Sequence, residues 1–396
     1  MSSPENAGSY QLPDLLLHFE NYHELNINNH CQAASLASEK WIRDLIRDEE
    51  IRDPPALSLS ADRLANMKLG LLGACSFPSC DLTQLILMMD VWTLIILNTQ
   101  LPLRSNTPAT SHRSVANENL QYDYVELLQM HPAFQRLLPR LSRFKYSTSN
   151  FWQQRFTCSV AAFQQSQQKA IDYRLKGAAL AQLAIDDYID FRRDFGGMPI
   201  ILDLIEAVEG LELDIPTFND DLYTLRRLVG DIIVLSWDVF SYNIDQSVDN
   251  RLNIVSLLQS KRENALVHSI KEAGDLILQR LASFKSLENT LLESVGTLSS
   301  TTTNTSPVVQ KSIWQSITQN FAGTQKTKIP PSSLNEMQIH DIVRYICALK
   351  DCMVGFLNWT YETDMFFGTK GESVKSFGWV FLLSPIQSTQ TNETTE

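Results

Sequence analysis

The chain is poor in the residues that many folds use for punctuation. In 396 residues there are only 15 glycines and 15 prolines. That is thin for a β-sandwich or a glycine-looped nucleotide fold, both of which need many tight turns. Basic residues are outnumbered, 33 Lys plus Arg against 45 Asp plus Glu, for a formal net charge of −12. Phosphate-backbone contact needs clustered Lys and Arg, so no nucleic acid is expected as a partner. The six cysteines, Cys31, Cys75, Cys80, Cys158, Cys347 and Cys352, include two CxxxxC spacings and no CxxC pair. In a chain this large that predicts reduced thiols and argues against a zinc site. The first residues, MSSPENAGSY, hold neither a basic region nor an apolar run, so no signal peptide is read there. The longest apolar run, Leu85 to Leu97, is broken by Asp90 and is too short to span a bilayer. It reads as a buried core helix, and a soluble, cytoplasmic protein without a membrane span is expected.

At 44% hydrophobic residues the chain can bury a sizeable core. Helical spacing dominates. Leu175 to Ala184 and the proline-free stretch Leu222 to Leu258 both fit buried helices of a bundle. Strict two-residue alternation is rare, so an all-α fold with at most short strands is expected. Asp53-Pro54-Pro55 closes an N-terminal helical region. Ser76-Phe77-Pro78-Ser79 is a turn before a helix that starts near Asp81, and Leu101-Pro102 stops that helix ahead of a polar loop, Arg104 to Arg113. Gly196-Gly197-Met198-Pro199 breaks another helix. The polar low-complexity stretch Thr297 to Pro307 and the later TQKTKIPPSS predict a mobile insertion near 297–333. It lies inside one domain, 13–386, flanked by disordered ends at 1–12 and 387–396.

Four constellations have chemical potential. Arg192-Arg193 precedes the Gly196-Gly197 break, where guanidinium groups suit multidentate phosphate contact; an ordinary helix stop with surface arginines is the plainer alternative. On the next long helix Ser241 and Asp245 are four apart and share a face that Asp249 continues, with Asp238 nearby. Such oxygens suit Mg²⁺, which takes one or two carboxylates plus waters and substrate phosphates; taken alone, these residues read more simply as a solvated acidic face. Asp186-Asp187 and Asp190 form a literal DDxxD, a short pattern that a solvated helix face explains better. Trp92, Phe191, Trp237, Phe240, Trp359 and Phe366 lie in apolar helical segments. Most aromatics at such spacing are core, but a ring face that lines a cavity stabilises a cation by about 1–2 kcal/mol when desolvated.

In order and spacing these pieces resemble the fungal class I sesquiterpene cyclases over roughly residues 60 to 385. Leu69-Gly70-Leu71-Leu72 through Pro78 is similar to the segment before the family's aspartate-rich helix. Tyr188 to Gly197, YIDFRRDFGG, is similar to the helix break with a diphosphate-sensing arginine, which would be Arg192. Leu235 to Leu257 resembles the second metal motif, NDxxSxxxE, and Trp359 to Leu383 the closing C-terminal segment. The departures are specific. The aspartate-rich motif falls near Asn98-Thr99-Gln100, where no carboxylate stands; Trp237 occupies the first ligand position of the second motif; Asp245 replaces a glutamate; and Met365-Phe366 stand where Arg-Tyr is expected. This pattern resembles the noncanonical humulene-forming cyclases of tropolone-sesquiterpenoid pathways.

The resemblance implies a helical bundle around an apolar cavity, farnesyl diphosphate as substrate, Mg²⁺ as cofactor and humulene as product, and it allows a homodimer. It assigns Arg192 to the diphosphate and Ser241 and Asp245 to the metal. Asp238, Asn98 and Gln100 are further candidate metal ligands, and Asp249 a reserve. Trp92, Trp237, Phe240 and Trp359 are candidate substrate contacts, while Lys261 and Lys375 are candidates for the charge missing with Arg-Tyr. Three competing readings stand beside it: a cyclase fold that serves only as a binding scaffold, a prenyltransferase, and an unrelated helical interaction protein.

Overall fold

The computed structural model describes residues 8–47, 61–103, 122–130, 132–175, 180, 182–262, 265–300 and 335–385. Its longer helices are α1 (Cys31–Arg47), α2 (Leu69–Ser76), α3 (Leu82–Leu103), α4 (Asn150–Leu175), α5 (Ile185–Phe195), α6 (Met198–Glu209), α7 (Asn219–Ser247), α8 (Ile254–Arg262), α9 (Leu266–Ser300) and α10 (Glu336–Glu362). They pack around one apolar core. Among the described residues the strands are two three-residue pieces, β1 (Ser9–Gln11) and β2 (Trp379–Phe381), paired antiparallel with Tyr10 opposite Val380. The all-α expectation holds.

Local chemistry sets the helix starts. Asp81 accepts from the Gln84 backbone N–H at 2.8 Å while the Gln84 side chain accepts from the Asp81 N–H, a reciprocal cap that begins α3. Leu82–Thr99 is long and apolar enough to cross a membrane, yet most of it is buried within the bundle. Gly197 ends the α5–α6 break at φ +66°, and a Cβ there would stand 2.7 Å from Ile95. Gly355 on α10 lies against the backbone of α2; a Cβ would come within 2.3 Å of the Cys75 carbonyl group.

Several boundaries differ from expectation. The stretch Leu222 to Leu258 is two helices, α7 and α8. Between them Asp249 sits at φ +52°, a conformation that a short polar side chain tolerates. The Asn250 and Asn253 side chains accept from the Leu252 and Val255 N–H groups and hold this turn. Leu101-Pro102 does not stop α3, which runs to Leu103; a proline in a last turn removes a single donor. Leu183 and Ala184 are not helical. Residues 9–11 are not disordered but form β1, with Tyr10 buried, because the C-terminal segment offers them a pairing edge. Thr297–Ser300 continue α9. The segments 53–55, 104–113, 301–333 and 387–396 lie outside the described residues.

Candidate active site

Arg192 leaves α5 just before the glycine break and points inward, only 2% exposed. Its Nε donates to Asp238 Oδ1 on α7 at 2.8 Å. The Tyr188 hydroxyl, one turn earlier on α5, donates to Asp238 Oδ2 at 2.6 Å, and the Ile254 N–H at the start of α8 donates to the same oxygen at 3.0 Å. Burial works hardest against the guanidinium charge, but Asp238, Tyr188 and Asp245 together outweigh it and raise the Arg192 pKa above its ordinary value. Burial also pushes the Tyr188 phenol far up, so it remains a donor. Asp238 is therefore the anchor of Arg192, with both carboxylate oxygens engaged; the metal-ligand assignment considered for it does not match this placement.

The neighbouring arginine goes elsewhere. Arg193 Nε bonds Asp231 at 2.7 Å, and Arg280 Nε reaches Asp231 from α9 at 3.0 Å. Within the DDxxD pattern Asp186 and Asp187 are exposed, and Asp190 pairs with Arg193 and Arg227. That pattern is a solvated, ion-paired face.

Ser241 and Asp245 share one face of α7, as their spacing requires, and both are buried. The Ser241 hydroxyl donates to Asp245 Oδ2. Asn253 Nδ2 donates to the same oxygen at 3.0 Å and to the Asp238 carbonyl at 2.7 Å, while Asn250 Nδ2 donates to Asp245 Oδ1 at 3.1 Å. A continuous buried network thus joins Arg192, Asp238, Asn253, Asp245 and Ser241. Asp249 is not part of it: the helix has ended, and its side chain is 81% exposed beside Arg251.

The donor chemistry around Asp245 decides whether a divalent ion fits. The asparagine side-chain oxygens are taken by backbone N–H groups, so the asparagines offer only N–H to Asp245. The protein oxygens toward an ion are those of Asp245 and Ser241. One carboxylate and one hydroxyl fit Mg²⁺ as a partial site, since this ion keeps waters and substrate phosphates in its remaining positions. Among the described residues no group of three or more His, Cys, Asp or Glu could hold a metal by itself.

From α3, Trp92, Ile95, Ile96 and Thr99 face Arg192 and Trp237 across a small cavity, and Asn98 is not among its lining residues. Asn98 is half-buried, and its amide donates to the Leu94 carbonyl at 2.8 Å. Thr99 donates to Ile95 at 2.7 Å. The Gln100 side chain lies outside the described residues. The carboxylate of α3, Asp90, is held by Ser38 and by Arg140 at 2.7 Å.

Aromatic rings fill the space between α3, α7 and α10. Trp237 lies 6.0 Å from Phe356, 5.9 Å from Trp359 and 5.2 Å from Phe366 between ring centroids. Trp92 stacks on Phe356, and Phe240 joins through Phe366. Phe191 belongs to a separate stack with Tyr173 and Phe195. The cavity of about 10 Å³, lined by Trp92, Thr99, Arg192, Gly196, Val234 and Trp237 among others, lies between α3, the α5–α6 break and α7. Lys261 and Lys375 are both exposed.

Sequence reading missed Tyr188, Asn250, Asn253 and Phe356. Tyr188 stands four residues before Arg192, and Phe356 three before Trp359, so helical spacing held a signal for these two. The asparagines had none, because their role depends on where α7 stops.

Residues 106–283 match the family model described as terpene synthase family 2, C-terminal metal binding. Sesquiterpene synthase Agr1 of Cyclocybe aegerita is 25% identical over 394 residues, covering 96% of this chain and 95% of the relative. Sesquiterpene synthase 2 of Postia placenta is 24% identical, covering 97% and 98%. Among solved structures, α-eudesmol synthase has a TM-score of 0.62 at 15% identity, covering 85% of this chain and 96% of that one. Hedycaryol synthase in complex with HEPES has a TM-score of 0.59 at 21% identity, covering 88% and 98%. The structural likenesses establish the fold. The family match and the near-full-length relatives support the class I terpene synthase family, and the family description implies a divalent metal cofactor.

Proposed function

We propose, from the premise that this chain is a terpene cyclase, a carbon–oxygen lyase acting on a prenyl diphosphate, that it ionises farnesyl diphosphate with Mg²⁺ and closes the cation to a macrocyclic hydrocarbon such as humulene. The observation that carries the reading is the buried network that brings Arg192 together with Ser241 and Asp245. Farnesyl diphosphate fits the sesquiterpene names of the relatives. Humulene rests on the motif departures, Trp237 and Met365-Phe366 above all.

Ser241 and Asp245 would hold the ion, whose chemistry when bound is to neutralise charge on the leaving diphosphate. Arg192 supplies a fixed positive charge beside it, and its orientation costs little at the moment of ionisation because Asp238 and Tyr188 have already set it. The rings of Trp92, Trp237, Phe240 and Trp359 exclude water and offer π faces to the cation. The cavity of about 10 Å³ beside Trp92 and Trp237 has room for one water, so these rings must part for the prenyl chain to enter; the apolar wall would then fold the chain so that its distal double bond reaches the cationic end.

The test is direct. Purified protein with farnesyl diphosphate and Mg²⁺ is expected to release a hydrocarbon, identified in the headspace, that disappears with EDTA. Diphosphate release without hydrocarbon would favour a prenyltransferase, and substrate binding without turnover a scaffold. Asp245→Ala and Arg192→Ala are each expected to cut turnover by about two orders of magnitude while the helical circular-dichroism signal remains. Full activity in both variants would refute the site.

A further inference from the structure

Trp237 stands one turn before Ser241 and two before Asp245, on the face of α7 that carries them. It is 5% exposed, and among the described residues its indole N–H meets no hydrogen-bond acceptor. Two other buried tryptophans are satisfied: the Trp152 N–H donates to the Asp203 carbonyl at 2.8 Å, and that of Trp359 to the Met67 and Lys68 carbonyls at 3.0 Å. A buried N–H without an acceptor has lost its hydration with nothing in return, so such groups are rare and call for a reason. The ring is not free to turn toward solvent, since Phe356, Trp359 and Phe366 enclose it. It borders the same small cavity as Arg192 and Thr99.

We propose that the missing acceptor is a diphosphate oxygen of the substrate: the Trp237 indole N–H donates directly to it beside Arg192. The position that resembles a metal ligand then grips the leaving group by a hydrogen bond, and the ion keeps a smaller protein donor set, Ser241 and Asp245. This rests on the function proposed above and assigns Trp237 as a substrate-binding residue.

Two measurements test it on the full chain. In protein labelled with ¹⁵N-tryptophan, the Trp237 indole resonance is identified by its loss in Trp237→Phe. On titration with inorganic diphosphate and Mg²⁺ that resonance is expected to move downfield. By calorimetry, Trp237→Phe is expected to bind inorganic diphosphate about tenfold more weakly or worse, the size of a hydrogen bond to a charged acceptor. Its thermal midpoint is expected to fall modestly, because the smaller ring leaves a void that removal of an unsatisfied donor offsets only in part. An unmoved resonance, or equal affinity in the variant, overturns the inference even if the wild type makes hydrocarbon. A wild type that binds no diphosphate overturns this inference and the proposed function together.

Discussion

Replacing Asp238 by asparagine tests whether this residue positions Arg192 or binds metal. Asp238 is fully buried, Arg192 nearly so, and the carboxylate takes hydrogen bonds from Arg192 at 2.8 Å, Tyr188 at 2.6 Å and the Ile254 N–H at 3.0 Å. Removing one partner of a buried ion pair costs about 3–5 kcal/mol, because the surviving charge is left uncompensated. An asparagine retains one acceptor oxygen, so at most one of the two Oδ2 donors is orphaned as well, at about 1–3 kcal/mol, and the two costs are not additive. Asp238→Asn is therefore expected to lose about 4 kcal/mol, a large share of the roughly 5–15 kcal/mol that holds a protein folded. The assay is urea unfolding followed by far-ultraviolet circular dichroism, with Asp190→Asn as the control. Asp190 is 54% exposed in its ion pairs, so its variant should lose about 1 kcal/mol or less. An Asp238→Asn protein as stable as the control, but needing more Mg²⁺ for turnover, would refute the reasoning and restore Asp238 as a ligand.

Two further outcomes follow from the packing. Burial raises the Glu206 pKa from 4.5 to about 7 despite Arg155 and Arg226, so the fold favours its protonated form. The stability this contributes is complete below about pH 4.5 and is lost as pH rises through about 7, and Glu206→Gln, always neutral, should gain on the wild type across that window. Thermal midpoints that run parallel from pH 4.5 to 7 would refute this. Gly355→Ala would drive a Cβ into the Cys75 backbone at 2.3 Å, where no side chain can swing aside. Separating α10 from α2 should cost about 1–3 kcal/mol or more, seen as a lower thermal midpoint; an unchanged midpoint would show that the helices can part freely.

Much of the site was legible because it is local. Arg192 beside Gly196-Gly197 and Ser241 four residues before Asp245 are patterns within one or two helical turns, and helical periodicity alone places each on its face. The all-α class was legible for the same reason. The residues that were misplaced depend on contacts between distant parts of the chain. Asp238 meets Arg192 across 46 positions and Tyr188 across 50, so no spacing rule could tell an anchor from a ligand. Asp249 left the stripe, and Asn250 and Asn253 entered the network, because α7 ends at Ser247 where a continuous apolar pattern suggested it would go on. The strand at Tyr10 exists only because residues 379–381 pair with it. The sequence determined which faces are apolar and where helices start, through side-chain chemistry acting over a few residues. The tertiary structure alone decided which buried polar groups satisfy one another, because desolvation makes each choose a partner from whatever the fold brings within reach.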